Sequence, residues 1–291
     1  KLFNELYVQL SAVDAAQKSR SPPPPPGGAE RVKAAAGQLP DPVRSMLVEL
    51  ADAGASQSRD ATVSGLAAEL KPVTDFCNQA IAGRYPFAAG ASADVPPEDF
   101  GRFFGQGGLM DQFFQRRLAD LVDVSGRNWA YKPLADGSRR PTPAALRDFQ
   151  RAERIREVFF RSGGASPAVR LEMRVLEFDD GLTELRLTID GQTQALAPGA
   201  PSVILTAPSP RNASQLSLAT NLGGPPVRFE GPWALFRLFD RFEVQTTPQP
   251  ERGVVVMHLD GKRARVEVVA GSVFNPFRLP EVQQFRCPSS L

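Results

Sequence analysis

The sequence contains one histidine, His258, and two cysteines, Cys77 and Cys287. A single histidine excludes any two-histidine metal site and leaves serine-type catalysis one candidate base. Two thiols without CxxC spacing cannot complete a structural zinc site, so neither a metal nor a cofactor is expected. They can form one long-range disulfide in an oxidising compartment or stay as two buried free thiols, and the residues leave both open. An excess of either charge is missing too. The 34 basic and 32 acidic residues leave a net charge of +2, which gives no overall field to hold nucleic acid or an anionic membrane. Long apolar runs are absent. The longest uncharged run, Gly191 to Pro210, carries four prolines and is polar in its first half, so it cannot span a bilayer as a helix. No signal peptide is visible, and Lys1 falls inside a helical pattern with no initiator methionine, which reads as a fragment of something larger.

What is present divides into two periods. The 291 residues suffice for two cores. Up to about Arg161 the apolar residues recur at helical spacing. Phe3, Leu6, Leu10 and Val13 form a first stripe, and the proline run at 21–28 breaks it as a stiff connecting loop. Asp41-Pro42 supplies an N-cap and a proline at N1 for the next helix. A longer helix is predicted from about Asp60 to Ala82, with Pro72 kinking or splitting it. Pro96-Pro97-Glu98-Asp99 and Thr142-Pro143 open further helices. After Gly163-Gly164 the period becomes two, and Asp190-Gly191 and Asp260-Gly261 mark tight hairpin turns. The second hairpin places His258 beside Arg263 and Val256 beside Arg265. A strand whose parity slips at Val175-Leu176 predicts a bulge. The segment from Gly231 to Phe242 reads as a helix inserted among strands, covering an open end of the β core. The expectation is an α+β protein, with a helical domain over 1–162 and an antiparallel β-sandwich over 163–291.

No constellation of catalytic residues emerges. Gly105-Gln106-Gly107-Gly108 resembles a phosphate loop, but Leu109, Met110 and Asp111 stand where a nucleotide site needs lysine and then Ser/Thr. Asp179-Asp180 falls in a hairpin turn, where aspartate serves the backbone. Glu98-Asp99 lies in a first helical turn, where negative charge suits the dipole. Asn212-Ala213-Ser214 matches a glycosylation sequon, a frequent chance pattern. The aromatic residues around the glycines, Tyr85, Phe87, Phe100, Phe103, Phe104, Phe113 and Phe114, read as a packed core, as do Trp233 and Phe239. A carbohydrate-binding sandwich, the alternative function, predicts tryptophans exposed on one face, and the only tryptophans are Trp129 and Trp233.

Three separated segments in one order carry a resemblance. They are CNQAIAGRYPF through NWAYKP, then FEGPWALFRLFD, then FNPFRLPEVQQFRCP. The chain resembles the periplasmic C-terminal region of the TssM (IcmF-like) family of type VI secretion inner-membrane core proteins. The resemblance implies a non-enzymatic periplasmic scaffold that binds the outer-membrane lipoprotein TssJ and works with TssL and other TssM copies. It also implies membrane helices and a cytoplasmic nucleotide-binding-like domain upstream. His258 has no role in this reading. His258→Gln is expected to fold normally and to support type VI secretion in a killing assay, and loss of secretion with normal folding would overturn that.

Overall fold

The computed structural model describes residues 36–133 and 144–290, together with residues 7, 8, 11, 12, 15, 33 and 34; for residues 54–64 it describes the backbone. The first apolar stripe and the proline run lie outside the described residues. The chain forms two compact units, residues 1–72 with 289–291, and Val73–Pro288.

Helix α1, Val43–Ala80, replaces the two segments expected on either side of Asp60 with one helix of 38 residues. The alanine-rich middle carries no strong breaker, and Pro72 stays inside the helix, where it removes one N–H from the ladder. In the first unit Ala36, Leu47 and Ala51 form a small buried cluster joined by Leu39 and Val48, and Lys33 pairs with Asp52 at 2.5 Å. In the second unit Val73, Cys77 and Ala80 are buried at helical spacing.

Helix α2, Pro97–Phe104, has proline in its first turn with Glu98 and Asp99, which suits the positive end of the dipole. Its buried side is Phe100, Phe103 and Phe104. Helix α3, Leu109–Phe113, widens into a π-helical turn over Phe114–Leu118. Leu118 is buried there and Leu121 is 36% exposed. A two-stranded ribbon follows, β1 (Val122–Asp123) and β2 (Ala130–Tyr131), and then helix α4, Ala144–Phe159.

The rest is an antiparallel β-sandwich. One sheet orders β6 (Val203–Ala207), β3 (Val169–Phe178), β11 (Lys262–Ala270), β10 (Arg252–Leu259) and β9 (Glu243–Thr246). The other orders β5 (Gln192–Leu196), β4 (Leu185–Ile189), β7 (Gln215–Thr220) and β8 (Val227–Glu230). Both predicted hairpins form. Asp190 and Gly191 have φ of 49° and 82°, and Asp260 and Gly261 of 49° and 75°, the left-handed pair of a type I′ turn. His258 pairs with Arg263 and Val256 with Arg265. Opposite the step from Arg265 to Val266, β3 skips from Glu177 to Val175, so Leu176 is the bulged residue, 42% exposed.

The inserted helix α5, Ala234–Phe239, follows Trp233 at its N-cap. It lies against β7 and β8 of the sandwich, and the tryptophan before it also meets the helical layer. Trp233 lies 5.1 Å from Phe100 and 5.8 Å from Phe159 between ring centroids. The change of period after residue 162 therefore falls inside the second compact unit. After a single 3₁₀ turn at Pro276–Arg278, the short helix α6, Pro280–Gln284, leads the chain back among the helices. Phe285 enters the aromatic cluster 5.0 Å from Phe104.

Phe103 is fully buried and packs edge-on to Phe104 at 4.8 Å. Phe103→Ala is expected to cost about 3–5 kcal/mol, read from denaturant unfolding; an unchanged midpoint would mean that the cluster tolerates the cavity.

Candidate functional site

The glycine loop that resembled a phosphate cradle holds an anion of its own. Gly107 adopts φ +69°, a conformation that glycine reaches without strain. Its N–H donates to Asp111 Oδ2 at 2.8 Å, while Gln112 Nε2 donates back to Gly107 O at 2.6 Å. Asp111 also pairs with Arg156 of α4 at 2.6 Å. Burial works against its ionised form, yet the Gly107 N–H and the Arg156 guanidinium hold its carboxyl below the ordinary carboxylate range. The same arginine bonds Glu153, where burial outweighs it and raises the carboxyl. The arrangement closes the α2–α3 turn onto α4.

A second polar assembly fixes α5. Arg237 lies over the Tyr85 ring at 4.0 Å and reaches Asp94 Oδ1 at 2.5 Å and Ala91 O at 2.9 Å. The Tyr85 hydroxyl donates to Asp240 at 2.7 Å, and burial together with the Asp240 charge pushes its phenol far above the usual range. The Trp233 indole donates to Val95 O at 2.8 Å. At Gly231, with φ +95°, any Cβ would sit 2.1 Å from Asp94 Oδ2, so only glycine allows this approach.

The third assembly is the returning C-terminus. Cys287 is disulfide-bonded to Cys77 across 210 residues. Beside it, Arg286 N–H donates to Asp148 Oδ1 at 3.0 Å and Thr74 Oγ1 to Pro288 O at 2.5 Å. Asp148 is 5% exposed and also receives Arg151. Neither it nor Phe285 stood out in the sequence, since each acquires meaning only from a neighbour far along the chain.

The expected core residues Tyr85, Phe87, Phe100, Phe103, Phe104, Phe113, Trp233 and Phe239 are all buried, whereas Phe114 is half-buried. Phe87 lies 5.3 Å from Phe104, and Phe113 joins a separate stack with Phe149 at 5.5 Å. Phe239 reaches Phe277 at 4.5 Å. His258 is exposed on the outer face of the larger sheet. There Glu267 bonds Arg174 and Arg252, and Glu177 meets Arg263 and Arg265, so the charges satisfy one another. Trp233 is fully buried and Trp129 packs on Phe114 at 4.8 Å; neither stands on a sandwich face as a sugar platform. Among the described residues no group of three His, Cys, Asp or Glu side chains is placed to hold a metal ion.

Helices followed by a two-sheet sandwich agree with what known proteins show. Residues 65–165 match the family model for the type VI secretion protein IcmF helical domain, and residues 171–272 the model for the IcmF C2-like domain. The chain belongs to the IcmF, or TssM, family of type VI secretion proteins. The type VI secretion system component TssM1 of Pseudomonas aeruginosa is 35% identical over 299 residues. That alignment takes in 99% of this chain and 27% of the relative, so the chain spans about a quarter of that protein. A chain of a solved type VI secretion system membrane core complex superposes with a TM-score of 0.69 at 19% identity, covering 90% of this chain and 56% of that one. The solved TssM C-terminal domain from EAEC gives 0.65 at 21%, covering 79% and 98%. At such identities the likeness concerns the fold alone. Among the described residues no helix is long and apolar enough to cross a membrane.

A disulfide closing a loop of 210 residues removes much unfolded-state freedom, on the order of 5 kcal/mol in the chain-entropy account. Guanidinium unfolding with and without reductant is expected to show a loss of that order. Mass spectrometry of the unreduced protein should find no alkylatable thiol, and two would overturn the expectation.

Proposed function

We infer that this region of the TssM family is a non-enzymatic periplasmic scaffold module. It binds a TssJ-type outer-membrane lipoprotein and, with TssL and further TssM copies, links the inner to the outer membrane. The carrying observation is the Cys77–Cys287 bond beside a returning C-terminus. Such a staple suits an oxidising compartment and stiffens a part that works by holding position. The polar groups that a catalytic reading would recruit are engaged in the fold. Asp111 is tied to Gly107 and Arg156, Tyr85 to Asp240, and the arginines of the outer sheet face to Glu177 and Glu267.

Within the module the sandwich carries the lipoprotein contact, since its strand edges and loops are available for pairing while the helical part spends its aromatics internally. Calorimetry of the whole chain with a TssJ-type lipoprotein, followed by hydrogen exchange of the complex, tests this. Binding that weakens modestly with salt is expected, as for a polar rim, with new protection confined to residues 163–290. Protection confined to α2, α3 and α4 would assign the interface to the helices, and no binding would remove the lipoprotein reading.

A further inference from the structure

The uncharged run from Gly191 to Pro210 does not lie in the core. It supplies β5 and β6, the edge strands on one side of the sandwich. In a chain with 23% charged residues, neutral edges at the surface are unusual, because charges on edges prevent sheets from joining. The other two edges follow that rule. Strand β8 carries Arg228 and Glu230, and β9 begins at Glu243.

Of the two neutral edges, β6 has what a docking strand needs. Gly271 N–H donates to Arg170 O at 2.7 Å, so residue 170 turns its backbone toward β11. Alternation then turns 169, 171 and 173 toward β6. Their partners are Ala207, Leu205 and Val203, which leaves the N–H and C=O groups of Ile204 and Thr206 pointing away from the sheet. Among the described residues neither takes part in a further backbone bond. Ile204 is 49% exposed and Leu205 half-buried. Strand β5, by contrast, exposes Gln192, Thr193 and Gln194, and Thr193 is bonded to Thr188, so it has little apolar surface to bury.

The geometry points to a second copy of this chain as the occupant, with β6 pairing antiparallel to its symmetry mate about a two-fold axis through Leu205. In that register Ile204 faces Thr206 of the mate, and each pair exchanges both N–H···O bonds, four in all. Leu205 meets its own copy at the position where opposed side chains come closest. On the other face Ile204 is covered by the mate's Thr206 methyl. No charged residue lies on either strand across the axis. The two five-stranded sheets become one continuous sheet. The interface is isologous, so it closes at two copies, and it leaves the remaining loops free for other partners.

Sedimentation velocity of the whole chain over a wide concentration range is the first test, with a reversible dimer expected. Thr206→Pro removes only the outward N–H, a substitution that an edge strand accepts, and should weaken the dimer at least about tenfold with unchanged circular dichroism and melting. Leu205→Cys should yield a covalent dimer on mild oxidation. A wild-type chain that stays monomeric throughout, or a dimer indifferent to Thr206→Pro, overturns the proposal. Thr206→Pro should bind a TssJ-type lipoprotein as the wild type does; if it loses that binding while folded, the edge belongs to the lipoprotein and the second copy is ruled out. Absence of lipoprotein binding in the wild type would leave the dimer measurement unaffected.

Discussion

Phe100 stands where three distant parts of the chain meet. Its ring lies within 5.2 Å of Phe104 on its own helix, Phe159 at the end of α4 and Trp233 before α5. Each such pair adds about 0.5–1.5 kcal/mol beyond the burial of its area. Position matters more than number here. The Trp233 helix is one junction between the sheets and the helices, and its indole packs against Phe100 and Phe159. The polar ties of Arg237, Asp240 and the indole N–H surround this junction. The indole bond is buried, while Asp240 lies at the surface.

The parts of the fold that could be read from the sequence are those whose cause is local. Asp-Gly pairs flanked by alternating apolar residues fixed two hairpins to the residue, because a type I′ turn permits one register. The parity slip at Val175-Leu176 is equally local. Strands β8 and β9 were not foreseen, as four residues with one or two apolar positions do not establish a period. Helix α1 runs through Asp60, where the polar stretch hides the continuity of the period, and through Pro72, whose local signal to kink or split a helix the continuous ladder overrides. For the candidate site, residue types were legible but partners were not. The phenylalanines announced a core, whereas Phe285 filling a gap between Phe87 and Phe104, or Asp148 receiving Arg286, required the chain's return path.

Charge is distributed with the same economy. Each prominent acidic group is answered inside the fold, by Arg156 at Asp111, by Arg237 at Asp94 and by paired arginines at Glu177 and Glu267. Pairs on the outer face contribute little to stability individually. Their effect is to leave that face with no strong field of either sign, consistent with a net charge of +2. One side of the sandwich is thus charge-compensated and the neighbouring edge is neutral, so association there has to rely on backbone and shape.

The path of the C-terminus has a consequence for how the protein is made. The helices are synthesised before the ring that fills their centre, because Phe285 follows the whole sandwich along the chain. Until it arrives, Phe87, Phe103 and Phe104 face a vacancy. The helical half is then a waiting state with apolar surface exposed, vulnerable to association with other chains. Completion of the helical core therefore waits on Phe285 rather than on helix formation. Loss of the segment that carries Phe285 would damage the helices before it disturbed the sheets in between.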